Sequence, residues 1–141
     1  MIARPMDLDR NGLEMLDRIE CARLLACSTI GRIAVTVGAL PVILPVNFLI
    51  DGDRILIRTG EGTKLDAAVR DAVVAFEVDH IDPIEHGGWS VCVTGIAREL
   101  RDAADLHRVS RLPLAHWAPN GPSRVMAVSM DLVSGRRIPR P

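Results

Sequence analysis

Arg54-Ile55-Leu56-Ile57-Arg58-Thr59-Gly60-Glu61-Gly62-Thr63-Lys64-Leu65 changes period partway along. Up to Thr59 it alternates, with Arg54, Leu56 and Arg58 on one face and Ile55, Ile57 and Thr59 on the other, as in a half-buried strand. Beyond Thr63, Leu65, Ala68, Val69 and Ala72 recur at helical spacing. A strand therefore runs through a glycine-bearing turn into a helix. Thr63 falls where an N-cap belongs, and Thr63-x-x-Asp66 reads as a capping box that satisfies part of the first turn. The N–H groups left over, the fork of Arg58 and the point charge of Lys64 suit a phosphate dianion. A capped turn with solvated charges accounts for the same residues. The G-x-x-x-x-G-K-[ST] spacing is absent, which disfavours nucleoside triphosphate chemistry. Lys64 is the one lysine beside sixteen arginines.

On the N-terminal side, Glu14 to Ala26 places apolar residues at helical intervals, and residues 1–13 read as a loose arm carrying Pro5 and Gly12. Gly31 to Val37 alternates and turns at Gly38-Ala39-Leu40-Pro41 into Val42 to Ile50, a hairpin. The second strand is apolar on both faces except at Asn47, which predicts a central strand. Asp51-Gly52 then turns into the Arg54 strand. On the C-terminal side, Ala72 to Asp79, Trp89 to Leu100 and Arg124 to Val133 read as strands. Asp102 to Arg111 reads as a helix, Pro113 to Pro122 as an irregular connection and Gly135-Arg136-Arg137 as a basic tail. Six strands with few helices and short turns predict a closed antiparallel barrel. No internal repeat is present.

At 141 residues the chain suits one domain, residues 14–141. Its 48% apolar content with 3% aromatic residues and no tyrosine predicts an aliphatic core, and so much apolar surface in a short chain predicts a homodimer. A formal charge of −1 argues against a nucleic-acid surface. No apolar run reaches transmembrane length and no leader pattern follows Met1, so a cytoplasmic protein without membrane partners is expected. Cys21, Cys27 and Cys92 form no C-x-x-C pair and read as reduced core residues.

Asn47 is the polar exception in its strand, and a buried amide without a partner costs about 1–3 kcal/mol, so it needs a ligand or a neighbouring backbone group. Pro45 interrupts the ladder there, freeing nearby backbone for a planar heterocycle. Trp89 and Ser90 follow Gly87-Gly88, where a backbone can approach closely; Trp89 is either a cover for a cofactor ring or a core or interface residue. Asp79, His80, Asp82, Glu85 and His86 crowd together but fit no zinc spacing, so no metal is expected. His107 and His116 have no partner motif, and no hydrolytic triad stands out.

The ordered set Gly31-Arg32-Ile33-Ala34, Pro41…Pro45-Val46-Asn47-Phe48, Ile57-Arg58-Thr59…Gly62-Thr63-Lys64-Leu65, Ala75-Phe76-Glu77-Val78-Asp79, Gly88-Trp89-Ser90-Val91…Gly95 and Ser134-Gly135-Arg136-Arg137 resembles the pyridoxamine 5′-phosphate oxidase-like split-barrel proteins over residues 14–138. The closer likeness is to their small actinobacterial and nitroimidazole-reductase-like members. The resemblance implies a mainly β, six-stranded split barrel that dimerises and binds FMN in clefts between the subunits. It implies Arg58, Thr59, Thr63 and Lys64 at the FMN phosphate and Pro45, Val46 and Asn47 along the ring, with Trp89 and Ser90 coming from the partner. The implied activity is FMN-dependent oxidoreductase or flavin reductase chemistry, from NAD(P)H or a protein donor to a small acceptor, with no catalytic acid or base assigned. Vitamin B6 oxidation is not indicated, because that enzyme's C-terminal substrate residues have no match in Ser134 to Pro141. Alternatives on the same fold are a deazaflavin-dependent reductase, or a non-catalytic flavin or haem carrier or sensor with His80 or His86 as axial ligand.

Overall fold

Gly38 and Ala39 both take positive φ, 55° and 66°, and join strands β2 (Ile30–Val37) and β3 (Leu40–Asn47) by a two-residue turn. Two left-handed residues in succession give the turn twist that matches paired strands. The structure is a computed structural model describing residues 6–115 and 121–139. The other elements are β1 (Glu14–Leu16), α1 (Arg18–Ala26), β4 (Leu49–Asp51), β5 (Arg54–Gly60), α2 (Lys64–Ala68), β6 (Ala72–Asp82), β7 (Gly87–Glu99), α3 (Ala103–Val109), β8 (Ser123–Ser129) and β9 (Leu132–Arg137).

All pairings are antiparallel, in the order β3-β2-β6-β7-β8-β5-β4, with β9 between β7 and β1. The two ends of that order are consecutive in the chain. β3 pairs with β2, the Phe48 N–H donates to the Thr29 carbonyl (3.0 Å), and β4 then pairs with β5. One interrupted strand thus closes the barrel and leaves a split between β3 and β5. On the opposite wall β7 is shared, pairing with β6 along its length, with β9 at residues 89–94 and with β8 at 97–99. Gly95 lies at the hand-over, where a Cβ would stand 1.6 Å from the Ser129 carbonyl oxygen, so no side chain fits.

The barrel interior holds Ile33, Val35, Ile55, Ile57, Val91, Val93 and Met126, with Phe48 edge-on to Phe76 at 4.8 Å between centroids. Helix α1, capped by Asp17, adds Cys21, Leu24 and Leu25 to this core. A second, smaller core lies outside the barrel, where Val109 and Leu114 pack on Leu56, Leu100 and Val125. Strand β5 is therefore buried on both faces, which its alternating arginines did not foretell.

Several expectations need correction. Among the described residues nine strands form rather than six: β1 is additional, and two of the expected strands divide, at Phe48 and between Ser129 and Leu132. Residues 14–16 are strand, so the first helix begins at Arg18. Within the arm, residues 6–13 are tied down: Leu8 bridges to Glu14, and Asp9 accepts from Arg136 Nε at 3.0 Å. Strand β3 is not central but pairs on one edge, and its outward Ile43 is 67% exposed; Pro41 and Pro45, lacking donors, suit an edge. Of the cysteines only Cys21 is buried; all three are free, and Cys27 and Cys92 are exposed. The basic tail belongs to β9, where Arg137 pairs with Glu14 and Glu20. His116 lies outside the described residues. No helix among the described residues is long and apolar enough to cross a membrane.

Candidate functional site

The turn after β5 is built around a buried carboxylate. Thr59, fully buried, donates its hydroxyl to Asp66 Oδ1 at 2.8 Å, and the Gly62 N–H donates to Oδ2 at 3.0 Å. Arg124 Nε and an Arg70 guanidinium nitrogen each lie 3.4 Å from Oδ2. Thr63 caps α2 as expected: its Oγ1 accepts from the Asp66 N–H (3.1 Å) and donates to the Gly60 carbonyl (2.8 Å). The Asp66 side chain does not return to the cap residue, as a reciprocal box requires, but to Gly62, which turns with φ 77°. Burial alone pushes the Asp66 carboxyl up; the Gly62 N–H, the Thr59 hydroxyl, Arg124 and Arg70 outweigh it and hold it below the usual range.

This arrangement divides the four expected phosphate residues. Thr59 faces inward and is committed to Asp66. Arg58 faces the outer core, where its Nε donates to the Leu114 carbonyl at 2.9 Å. Thr63 and Lys64 are exposed at the turn, and Lys64 forms no hydrogen bond or ion pair with any described residue.

The residues expected along the ring stand across the split. Continuing the β4–β5 register past Leu49↔Leu56 would set Asn47 against Arg58 and Pro45 against Gly60, but β3 has left to pair with β2. β3 and β5 still touch without pairing. Asn47 is half-buried, and its amide makes no hydrogen bond to a described residue. Pro45 points out and is exposed, whereas Val46 points into the core at 3% exposure, leaving only its backbone for the cleft. Trp89 and Ser90 lie elsewhere in the chain. Trp89 packs against the barrel core and lines a cavity of about 540 Å³ with His80, Glu85 and Arg137, and no residue of 58–64 borders it. Ser90 faces the outer sheet surface beside Asp79.

The acidic and histidine cluster spans the end of β6, with Asp79, His80 and Asp82, and the β6–β7 turn, with Glu85 and His86; Asp82 Oδ1 accepts from the Ile84 and Glu85 N–H groups. No group of three or more His, Cys, Asp or Glu among the described residues is placed to hold a metal ion. Two residues that sequence reasoning missed complete the turn. Arg70 was readable as the i+4 partner of Asp66. Arg124 was not, because only the β5–β8 ladder brings it there.

A family model described as pyridoxamine 5′-phosphate oxidase matches residues 17–137, and the chain belongs to that family. An uncharacterized protein of Mycobacterium tuberculosis is 42% identical over 128 residues, covering 87% of this chain and 84% of the relative. The FAD binding protein from Mycobacterium smegmatis is a structural neighbour with TM-score 0.76 and 40% identity, covering 87% of this chain and 96% of that one. A FAD-binding protein from Mesorhizobium loti superposes with TM-score 0.70 over 89% of this chain and 96% of its own, at 22% identity, a likeness of fold.

Proposed function

We propose that the chain is a homodimeric flavin-dependent oxidoreductase whose cofactor lies along the split between β3 and β5. One observation carries the reading: two polar groups without partners among the described residues, the Asn47 amide at the end of β3 and the Lys64 ammonium just after β5, belong to the two strands that part at the split. Lys64 and Thr63 would hold the phosphate end, and Asn47 with the backbone around Pro45 would hold the polar edge of the ring. Trp89 and Ser90, distant from this opening in one protomer, would come from the second chain. The flavin supplies hydride transfer, and these residues supply binding and orientation. The 40% identity to an FAD binding protein favours FAD over FMN as the cofactor.

Titration of apo protein with FMN and with FAD, followed by flavin fluorescence, tests the proposal. Lys64→Ala removes a charge-assisted contact of about 1.5–3 kcal/mol and should weaken binding about tenfold to a hundredfold. Unchanged affinity in that variant removes the turn from the site, and a wild-type chain that binds neither flavin overturns the cofactor reading. Donor-dependent turnover with NADH or NADPH then tests the activity.

A further inference from the structure

The inward face of the sheet ends in a row of side chains drawn from four strands. His80 of β6 stands opposite Trp89 of β7, Trp89 opposite Arg137 of β9, and Arg137 opposite Glu14 of β1. All of them border the cavity of about 540 Å³ over Trp89, a size in the range of about 300–1,000 Å³ that small-molecule sites occupy. The floor beside the indole is bare. Gly87 lies two residues before Trp89 on the same face, its φ is not left-handed, and a Cβ there would meet nothing within 4 Å.

The polar groups around this space are of two kinds. The Trp89 indole N–H, the His80 imidazole and the Glu85 carboxylate make no hydrogen bond or ion pair with a described residue. The guanidinium of Arg137 is committed, with one nitrogen 3.6 Å from Glu14 and another 2.6 Å from Glu20. Among the described residues that line the cavity, this one guanidinium therefore faces the carboxylates of Glu14, Asp82 and Glu85. An anion entering the cavity would meet that excess of negative charge unscreened by any uncommitted arginine or lysine of the lining. A cation would be drawn both by Glu85 and by the electron-rich face of a tryptophan, the side chain that holds cations best. The indole and the bare backbone beside it suit a flat ring.

We propose that this cavity binds a planar organic cation, seated against Trp89 with its charge towards Glu85. The site is complete within one chain, so it goes beyond the flavin reading, which needs a second chain to bring Trp89 to the cleft. The carboxylates select the sign of the ligand and the indole its shape.

Calorimetric titration of the full apo chain near pH 7.5 with three probes of one shape and different charge tests this: N-methylquinolinium, quinoline and quinoline-6-carboxylate. The cation should bind saturably with a Kd of about 1 mM or below, at least about fivefold more tightly than quinoline, and the carboxylate more weakly than either. Glu85→Gln, a change on an exposed turn, should remove most of the advantage of the cation and leave quinoline unchanged. Gly87→Leu fills the space beside the indole without a backbone clash and should abolish binding of both while the melting temperature holds. No saturable binding of the cation by the wild type, binding of the carboxylate as tight as that of the cation, or the wild-type preference retained in Glu85→Gln overturns the proposal. So does wild-type affinity in Gly87→Leu. No flavin is present in these titrations, so their failure leaves the cofactor reading standing. A chain that takes the cation but neither flavin overturns the cofactor reading alone.

Discussion

Asp66 shows how much of the candidate phosphate turn is decided by a carboxylate buried beneath it. Its two oxygens gather a hydroxyl, a backbone N–H and two guanidinium groups at 2% exposure, and this fixes Gly62 and Thr63 while Lys64 has no partner among the described residues. Asp66→Asn replaces an acceptor by a donor facing the Gly62 N–H or the Thr59 hydroxyl. An unmade buried hydrogen bond costs about 1–3 kcal/mol, so the variant should melt at lower temperature and bind flavin more weakly, as calorimetry and titration would show. Because the carboxyl is held below its usual range, its contribution is present at neutral pH and disappears on acidification. The cap was legible in Thr63-x-x-Asp66, a local pattern. The commitment of Thr59 to Asp66 was not, since alternation gives the face of a residue but not which polar partner waits there. Arg58 shows the same limit: its charge pointed to phosphate, yet the outer core supplies a carbonyl for it.

At the scale of elements, helix α3 is held over β5 by apolar packing and by a clasp at the β4–β5 turn. Arg108 grips both oxygens of Asp51 at 2.9 and 2.7 Å, and Arg54 bridges Asp51 to Asp105. Arg108 and then Arg54 pull the Asp51 carboxyl down to about 2. A depressed carboxyl stabilises the fold above its ordinary value, 3.8, and that contribution is lost as pH falls towards 2. Partly exposed pairs of this kind contribute about 1 kcal/mol at most. Between pH 5 and 2 the segment around α3 should become open to pepsin before the barrel does, and Asp51→Asn should be as open at pH 5 as the wild type is near pH 2. Among the elements, α3 and the β2–β3 hairpin were readable because period and turn chemistry agreed. The breaks at Phe48 and near Asp131 were not, because the apolar pattern runs straight through them and only ladder partners change. The edge position of β3 was misread for a related reason: residues apolar on both faces suit a buried strand and equally a strand that meets a second molecule.

For the whole molecule, a site shared between chains has a genetic signature. If Lys64 comes from one chain and Trp89 from the other, a heterodimer of Lys64→Ala with Trp89→Leu holds one doubly altered site and one intact site. Random re-pairing of equal amounts should then restore wild-type flavin affinity to about a quarter of the sites, which titration of the mixture would count. No recovery would place both residues in one chain's site or take Trp89 out of it. The ladders also impose an order on assembly. The β2–β3 and β6–β7 hairpins join neighbouring segments, and hairpins form in about 1–10 μs. β5 must instead wait for residues 123–129, and β1 for residues 135–137. Until those segments are synthesised, β1, β5 and β7 of a nascent chain each carry a bare edge, able to pair with whatever strand it meets first. The C-terminal pair of strands is thus what turns a sticky, half-made sheet into a closed one, and a ribosome stalled before Ser123 would release an aggregation-prone product.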